Sequence, residues 1–256
     1  MYTRLPDPEE IAQDLLRRSE QFRPPVDLKR TISLWPELSI VMETLKGAGY
    51  LVNLGVHGAE ILVRAEDPPV RQRYTIAHEL GHWLLTTSDD LRRRSGQATG
   101  AELEKWCDRF AASLLMPAPW VRRDIRYDGS LDVLNAVFTA PKLYDVSAHA
   151  FWLRVSEVTS ISIAELGQTG EAIGIRKKFV SKDSGTVNEN MVSQIVSSLS
   201  PRLLSGAQFG RVDFREMSMH AIHGLLPRRD ETQSWLVCML PADRIGRGED
   251  STNPGQ

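Results

Sequence analysis

Two short stretches constrain this chain more than anything else in it. One is TIAHELGHWLL, Thr75–Leu85, and the other is ELEKWCDRF, Glu102–Phe110. On a helix, residues four apart lie on one face. His78 and His82 can then offer two imidazole nitrogens to one point, while Glu79 stands one residue to the side. The second stretch repeats that spacing with acids, Glu104 and Asp108. If the two helices pack face to face, His78, His82 and Glu104 form a three-ligand set for a divalent ion, with zinc the ordinary choice for two neutral imidazoles and manganese the alternative. Glu79 is badly placed to ligate and well placed to move a proton, so it is the candidate general base and acid. Asp108 can accept from the free ring nitrogen of a ligating histidine and fix its tautomer. Glu102 is the alternative third ligand, with Trp106 rather than an acid one turn on.

The motif alone carries a risk of chance matches. Its surroundings reduce that risk. Asp67 can cap the motif helix, with Pro68 and Pro69 in its first turn, and Ile76, Leu80, Trp83 and Leu84 supply a packing side. Gly81 costs about 1 kcal/mol of helix propensity and so implies a close approach by another backbone. Tyr74, one turn before His78, is a candidate to support an oxyanion, against the commoner use of a tyrosine ring in packing.

The remaining chain frames this unit. DPEEIAQDLLRRSEQF reads as a capped helix, and Leu38–Gly47 as a second. Tyr50–Leu54 and Glu60–Arg64 read as strands, the second near a sheet edge that could hold an extended peptide as an added strand. SDDLRRRSGQATG reads as a polar loop whose Arg92–Arg94 run could steer an acidic partner. Ser130–Ile163 is mostly helical, with a turn at Asp145–Ser147 and a second helix over Ala148–Val158. That pair has a helix-turn-helix flavour, but Phe151, Trp152, Leu153 and Val155 suit packing better than base reading. Beyond about Leu166, short apolar runs alternate with Gly, Ser and Asn clusters around one helix, NENMVSQIVSSL. His220 and His223 could meet there if MHAIHG were helical, and without a third ligand they read as structural.

Composition excludes several classes. With 41% hydrophobic and 25% charged residues, the chain is globular, not disordered. A net charge of −2 argues against a dominant nucleic-acid surface, so direct DNA binding stays an open side reading. Two cysteines build neither a disulfide framework nor a cysteine zinc site, and Cys107 reads as a buried, inert thiol. No secretory signal or membrane-long apolar run is visible, and the expected compartment is the cytoplasm, with no membrane partner.

RQRYTIAHELGHWLL followed by ELEKWCDRFAASLLMP resembles the ImmA/IrrE-type metallopeptidase family. Glu104, Phe110, Ala111 and Pro117 fit that family's pattern, while Trp106, Cys107 and Asp108 stand where Glu, Ala and Asn are common. The resemblance implies a gluzincin-like HExxH zinc endopeptidase that cleaves an XRE-type helix-turn-helix repressor and so switches on a DNA-damage or mobile-element stress response. A three-part member of the family joins a peptidase domain to a helix-turn-helix-like segment and a GAF-like module, and the length and order here are similar.

The expected architecture is therefore α+β. A mainly helical zincin-like peptidase unit with a small sheet covers residues 1–125, a helix-turn-helix-like segment covers 126–165, and a GAF-like α/β sensor module covers 166–256, open to a small-molecule or protein effector. The competing classes are a DNA-binding regulator with a structural metal and a non-hydrolytic antirepressor.

Overall fold

The computed structural model describes residues 5–96, 98–125, 132–169, 172–181, 189–204, 209–214, 219–226 and 234–241. It is a mixed α+β protein with two sheets. The chain divides into two compact units, one of Met1–Trp120 with Pro141–Phe151, the other of Val121–Ala140 with Trp152–Gln256. Residues 126–165, expected as a separate segment, are shared between these units.

The first unit begins with α1 (Pro8–Arg18), capped where Asp7 Oδ1 accepts from the Glu9 amide at 3.1 Å. Ala12, Leu15 and Leu16 form its buried stripe. After α2 (Leu28–Ile32) comes β1 (Leu38–Glu43), where a helix was the expectation. A short apolar run such as LSIVME suits either state locally, and pairing decides between them. β1 runs parallel to β3 (Ala59–Arg64), and β2 (Gly49–Asn53) runs antiparallel to it, giving the order β1-β3-β2. Glu60–Arg64 thus belongs to the central strand of this sheet, not to an edge.

The motif helix α3 (Pro69–Thr87) starts after an N-cap at Pro68. Asp67, expected as the cap, instead pairs with Arg71 at 3.2 Å. Arg73 anchors the first turn: Nη2 donates to the Val26 carbonyl at 2.8 Å and Nε to the Asp145 carbonyl at 3.2 Å.

The expected polar loop is mostly helix, α4 (Asp89–Ser95). Ser88 caps it, acids open it, arginines close it, and Leu91 is buried, so the ends complement the helix dipole. Arg92 and Arg94 pair with Asp89 and Asp90 at 2.9 and 3.0 Å, which leaves the basic run partly neutralised on its own helix. α5 (Gly100–Leu115) then packs against α1 and α3, with Phe110, Ala111, Leu114 and Leu115 fully buried. α6 (Ala118–Asp124), α7 (Asp132–Tyr144) and α8 (Ala148–Val158) follow. α8 has the bounds expected, begun by Ser147 Oγ accepting from the Ala150 amide at 3.2 Å.

The second unit holds a five-stranded antiparallel sheet of β4 (Ser162–Thr169), β5 (Ala172–Phe179), β6 (Phe209–Phe214), β7 (Met219–Leu225) and β8 (Ser234–Pro241), in the order β5-β4-β8-β7-β6. α9 (Glu189–Leu204) lays Val192, Ile195, Leu199 and Leu203 on Ala164, Leu166, Ala221 and Val237. MHAIHG is strand β7, not the helix on which a spacing of three would pair two histidines. Among the described residues, no helix is long and apolar enough to cross a membrane.

Candidate metal centre

Helix α3 presents Tyr74, His78 and His82 at successive turns, and α5 presents Glu104 and Asp108 at the same spacing. The two rows interlock. His78 Nε2 and His82 Nε2 lie 3.2 Å apart, and each lies 3.3 Å from an oxygen of Glu104. On the far side of its ring, His78 Nδ1 meets Asp108 Oδ1 at 3.0 Å. Asp108 can accept there from Nδ1–H, in the tautomer that turns the Nε2 lone pair toward Glu104 and His82. In that tautomer the donor atoms of the three residues converge on one point, an arrangement that a cation between them would satisfy. Tetrahedral bonds of about 2.0–2.1 Å set neighbouring donor atoms about 3.3 Å apart, so the spacing fits a divalent ion of zinc's size. Among the described residues this is the one group of three such donors.

Burial grades across the centre. The side chains of His78 and His82 are 16% and 26% exposed, Glu104 is 61% exposed, and the Glu104 side faces solvent. Glu79 is half-buried. Burial pushes its carboxyl above the usual range, the charges of His82 and His78 pull it back, Glu104 pushes it up, and the nearby Leu51 amide has the smallest effect, lowering it.

That last contact identifies the cleft edge. In β2, Ala48 O accepts from Arg64 and the Leu54 amide donates to Gly58, so even-numbered residues bond to β3 and odd-numbered ones face away. The Leu51 backbone therefore points out of the sheet toward Glu79. The strand edge beside the Glu79 carboxylate belongs to β2.

Two local features settle other candidates. Glu102 Oε2 accepts from the Thr99 amide at 2.8 Å while Thr99 Oγ1 accepts from the Glu102 amide at 3.3 Å. Glu102 is thus occupied in a capping box, and the T-x-x-E signal at Thr99 would have shown this in the sequence. Tyr74, a candidate for oxyanion support, instead directs its hydroxyl to Asp108, donating to Oδ1 at 3.0 Å. His57 sits in an exposed turn over Gly55–His57, apart from the cluster. Cys107 is fully buried, and burial pushes its thiol far above its ordinary value, so it is inert.

Gly81 explains how the helices come so close. A Cβ there would stand 3.2 Å from Cys107 Sγ, 3.2 Å from Phe110 Cδ1 and 3.3 Å from Cys107 Cα. Gly81→Ala gains about 1 kcal/mol of helix propensity but overpacks the seam by about 1–3 kcal/mol. We expect a lower melting temperature and weaker metal binding together. Unchanged metal affinity, measured by chelator competition, would show that the seam does not set the ligand spacing.

Residues 40–156 match the family model described as the IrrE N-terminal-like domain, Peptidase_M78. The radiation response metalloprotease IrrE of Deinococcus radiodurans is 32% identical over 108 residues, covering 40% of this chain and 32% of that protein. Its namesake from Deinococcus deserti is 41% identical over 63 residues, covering 23% of this chain and 22% of that protein. The matched regions thus span a third or less of the curated relatives. A solved Mycobacterium tuberculosis transcriptional regulator shares the fold at 13% identity and a TM-score of 0.53, over 99% of this chain and 94% of that one. Residues 40–156, which include α3 and α5, are thus similar to the IrrE N-terminal-like domain of the Peptidase_M78 family.

Proposed function

We propose that the chain is a zinc-dependent, site-specific endopeptidase that cleaves a helix-turn-helix repressor and so induces a DNA-damage or mobile-element response. His78, His82 and Glu104 hold the metal, Glu79 is base and then acid, and Asp108 orients His78. The observation that carries this reading is the place of Glu79. It lies beside the three-donor cluster without belonging to it, half-buried, and near the backbone amide of Leu51 on a strand edge. A structural site needs no such group.

A divalent metal held by His78, His82 and Glu104 would supply Lewis acidity toward a carbonyl and an attacking water. Glu79 takes the proton from that water and passes it to the leaving amide nitrogen. The outward backbone of β2 can hold an extended substrate as an added strand, which supports a peptide substrate.

The choice of a repressor rests on the relatives, two radiation response metalloproteases, and on the fold likeness to a transcriptional regulator. The antiparallel sheet backed by α9 supports a GAF-like sensor role for the second unit, with a small-molecule or protein effector. DNA reading by α8 has less support. Phe151, Trp152 and Val155 are buried, and Arg154 is buried and paired with Glu157 at 3.7 Å.

The deciding experiment maps new protein N-termini in cells carrying wild type or Glu79→Gln, with and without DNA damage. Cleavages restricted to wild type, centred on a repressor, support the proposal. Identical maps from two metal-loaded proteins would leave the antirepressor reading in its place.

The strand edge has its own test. Leu51→Pro removes the amide that faces Glu79 and spares every ladder bond to β3, because proline is tolerated where the N–H points off the sheet. Turnover should fall by about tenfold or more, in line with the loss of substrate positioning, while metal content stays at the wild-type level. Undiminished turnover would remove β2 from the substrate site. Proline at Val63, in the central strand, would break the sheet instead.

A further inference from the structure

Tyr74 continues the interlocked row of metal-site residues by one rung. Its ring lies one turn before His78 on α3, with ring centroids 6.4 Å apart, against 5.0 Å for His78 and His82. Its hydroxyl donates to Asp108 Oδ1 at 3.0 Å, the same oxygen that meets His78 Nδ1 at 3.0 Å, and lies 3.4 Å from the Asp108 carbonyl. The Asp108 side chain is 57% exposed. A carboxylate that open to water is free to turn among rotamers, and each turn away would release the His78 ring.

We infer that Tyr74 is a positioning residue for the metal centre: by pinning Asp108 Oδ1, its hydroxyl holds the His78 ring with Nε2 aimed at the ligand point. This rests on the metal-site reading above. Two donors converging on one oxygen leave Asp108 one orientation that satisfies both. The ordering is then present before the metal arrives, so it raises metal affinity instead of being drawn from it. A tyrosine kept only for its ring would serve equally well as phenylalanine. The hydroxyl is what distinguishes the two accounts.

The test is a double-mutant cycle on the full chain, reading zinc affinity by competition with a chromophoric chelator and the melting temperature of the metal-free protein. Asp108→Ala should weaken zinc binding by about 10–100-fold, the usual effect of removing the group behind a ligating histidine. Tyr74→Phe should weaken it by about 3–10-fold, a smaller loss because it acts one step further out. In the Asp108→Ala background, Tyr74→Phe should add nothing, since its target is gone. The metal-free melting temperature should stay close to wild type in Tyr74→Phe. A Tyr74→Phe protein with wild-type affinity overturns the inference, and so does an equal loss with and without Asp108, which is also how a general folding defect would read. Failure of the wild type itself to bind zinc would overturn the metal-site reading, and this inference with it.

Discussion

Glu79→Gln will bind zinc like the wild type and lose cleavage by about 10²–10⁴-fold, the range that a positioned general base contributes. The ligand atoms belong to His78, His82 and Glu104, and the substitution touches none of them. Glutamine matches glutamate in shape, and its amide oxygen can still accept a hydrogen bond, so the local structure has no reason to move. What disappears is the capacity to take a proton and return it. Metal content by atomic absorption and turnover of a mapped substrate check the two halves separately. Retained turnover would remove Glu79 from the mechanism. Lost metal would make Glu79 a ligand and overturn the division of roles between it and Glu104.

Phe110→Ala will be the most damaging single change in the first unit, at about 3–5 kcal/mol. Phe110 is fully buried, stacks on Trp106 with centroids 5.4 Å apart and planes 3° from parallel, and closes against the backbone at Gly81. Alanine leaves a cavity on the seam between the two helices that carry every ligand. Since whole domains are stable by only about 5–15 kcal/mol, the metal-free variant should sit close to unfolding. Zinc should restore part of that stability by mass action, because only the folded state presents the assembled cluster. Urea unfolding with and without zinc measures both effects. A loss below about 1 kcal/mol would mean that the seam collapses onto the cavity, and that ligand spacing does not depend on this ring.

The legible parts of this protein were those governed by residues near one another in the chain. The HExxH helix, the E-x-x-x-D helix and α8 needed only periodicity, capping and breaker residues. That Glu104 and not Glu102 joins the two histidines was also locally encoded, through the capping box that occupies Glu102. α4 was written in the same local language, with Ser88 before Asp89 and Asp90 and arginines in the last turn, and was hidden by its polar composition.

Whatever depended on distant pairing was not legible. LSIVME became a strand because β3 lay beside it, a partner some twenty residues on. Which strand edge met Glu79 depended on the parity of the β2–β3 ladder, and a one-residue slip would have reversed it. Tyr74 could be placed one turn from His78 by counting, but only the approach of α5 gave its hydroxyl a target. The sequence by itself therefore determined the chemistry on each helix, because a helix's own geometry sets which residues share a face. Tertiary structure alone decided how those faces met and which strand bordered them, because strand pairing and helix packing join residues that no local rule connects.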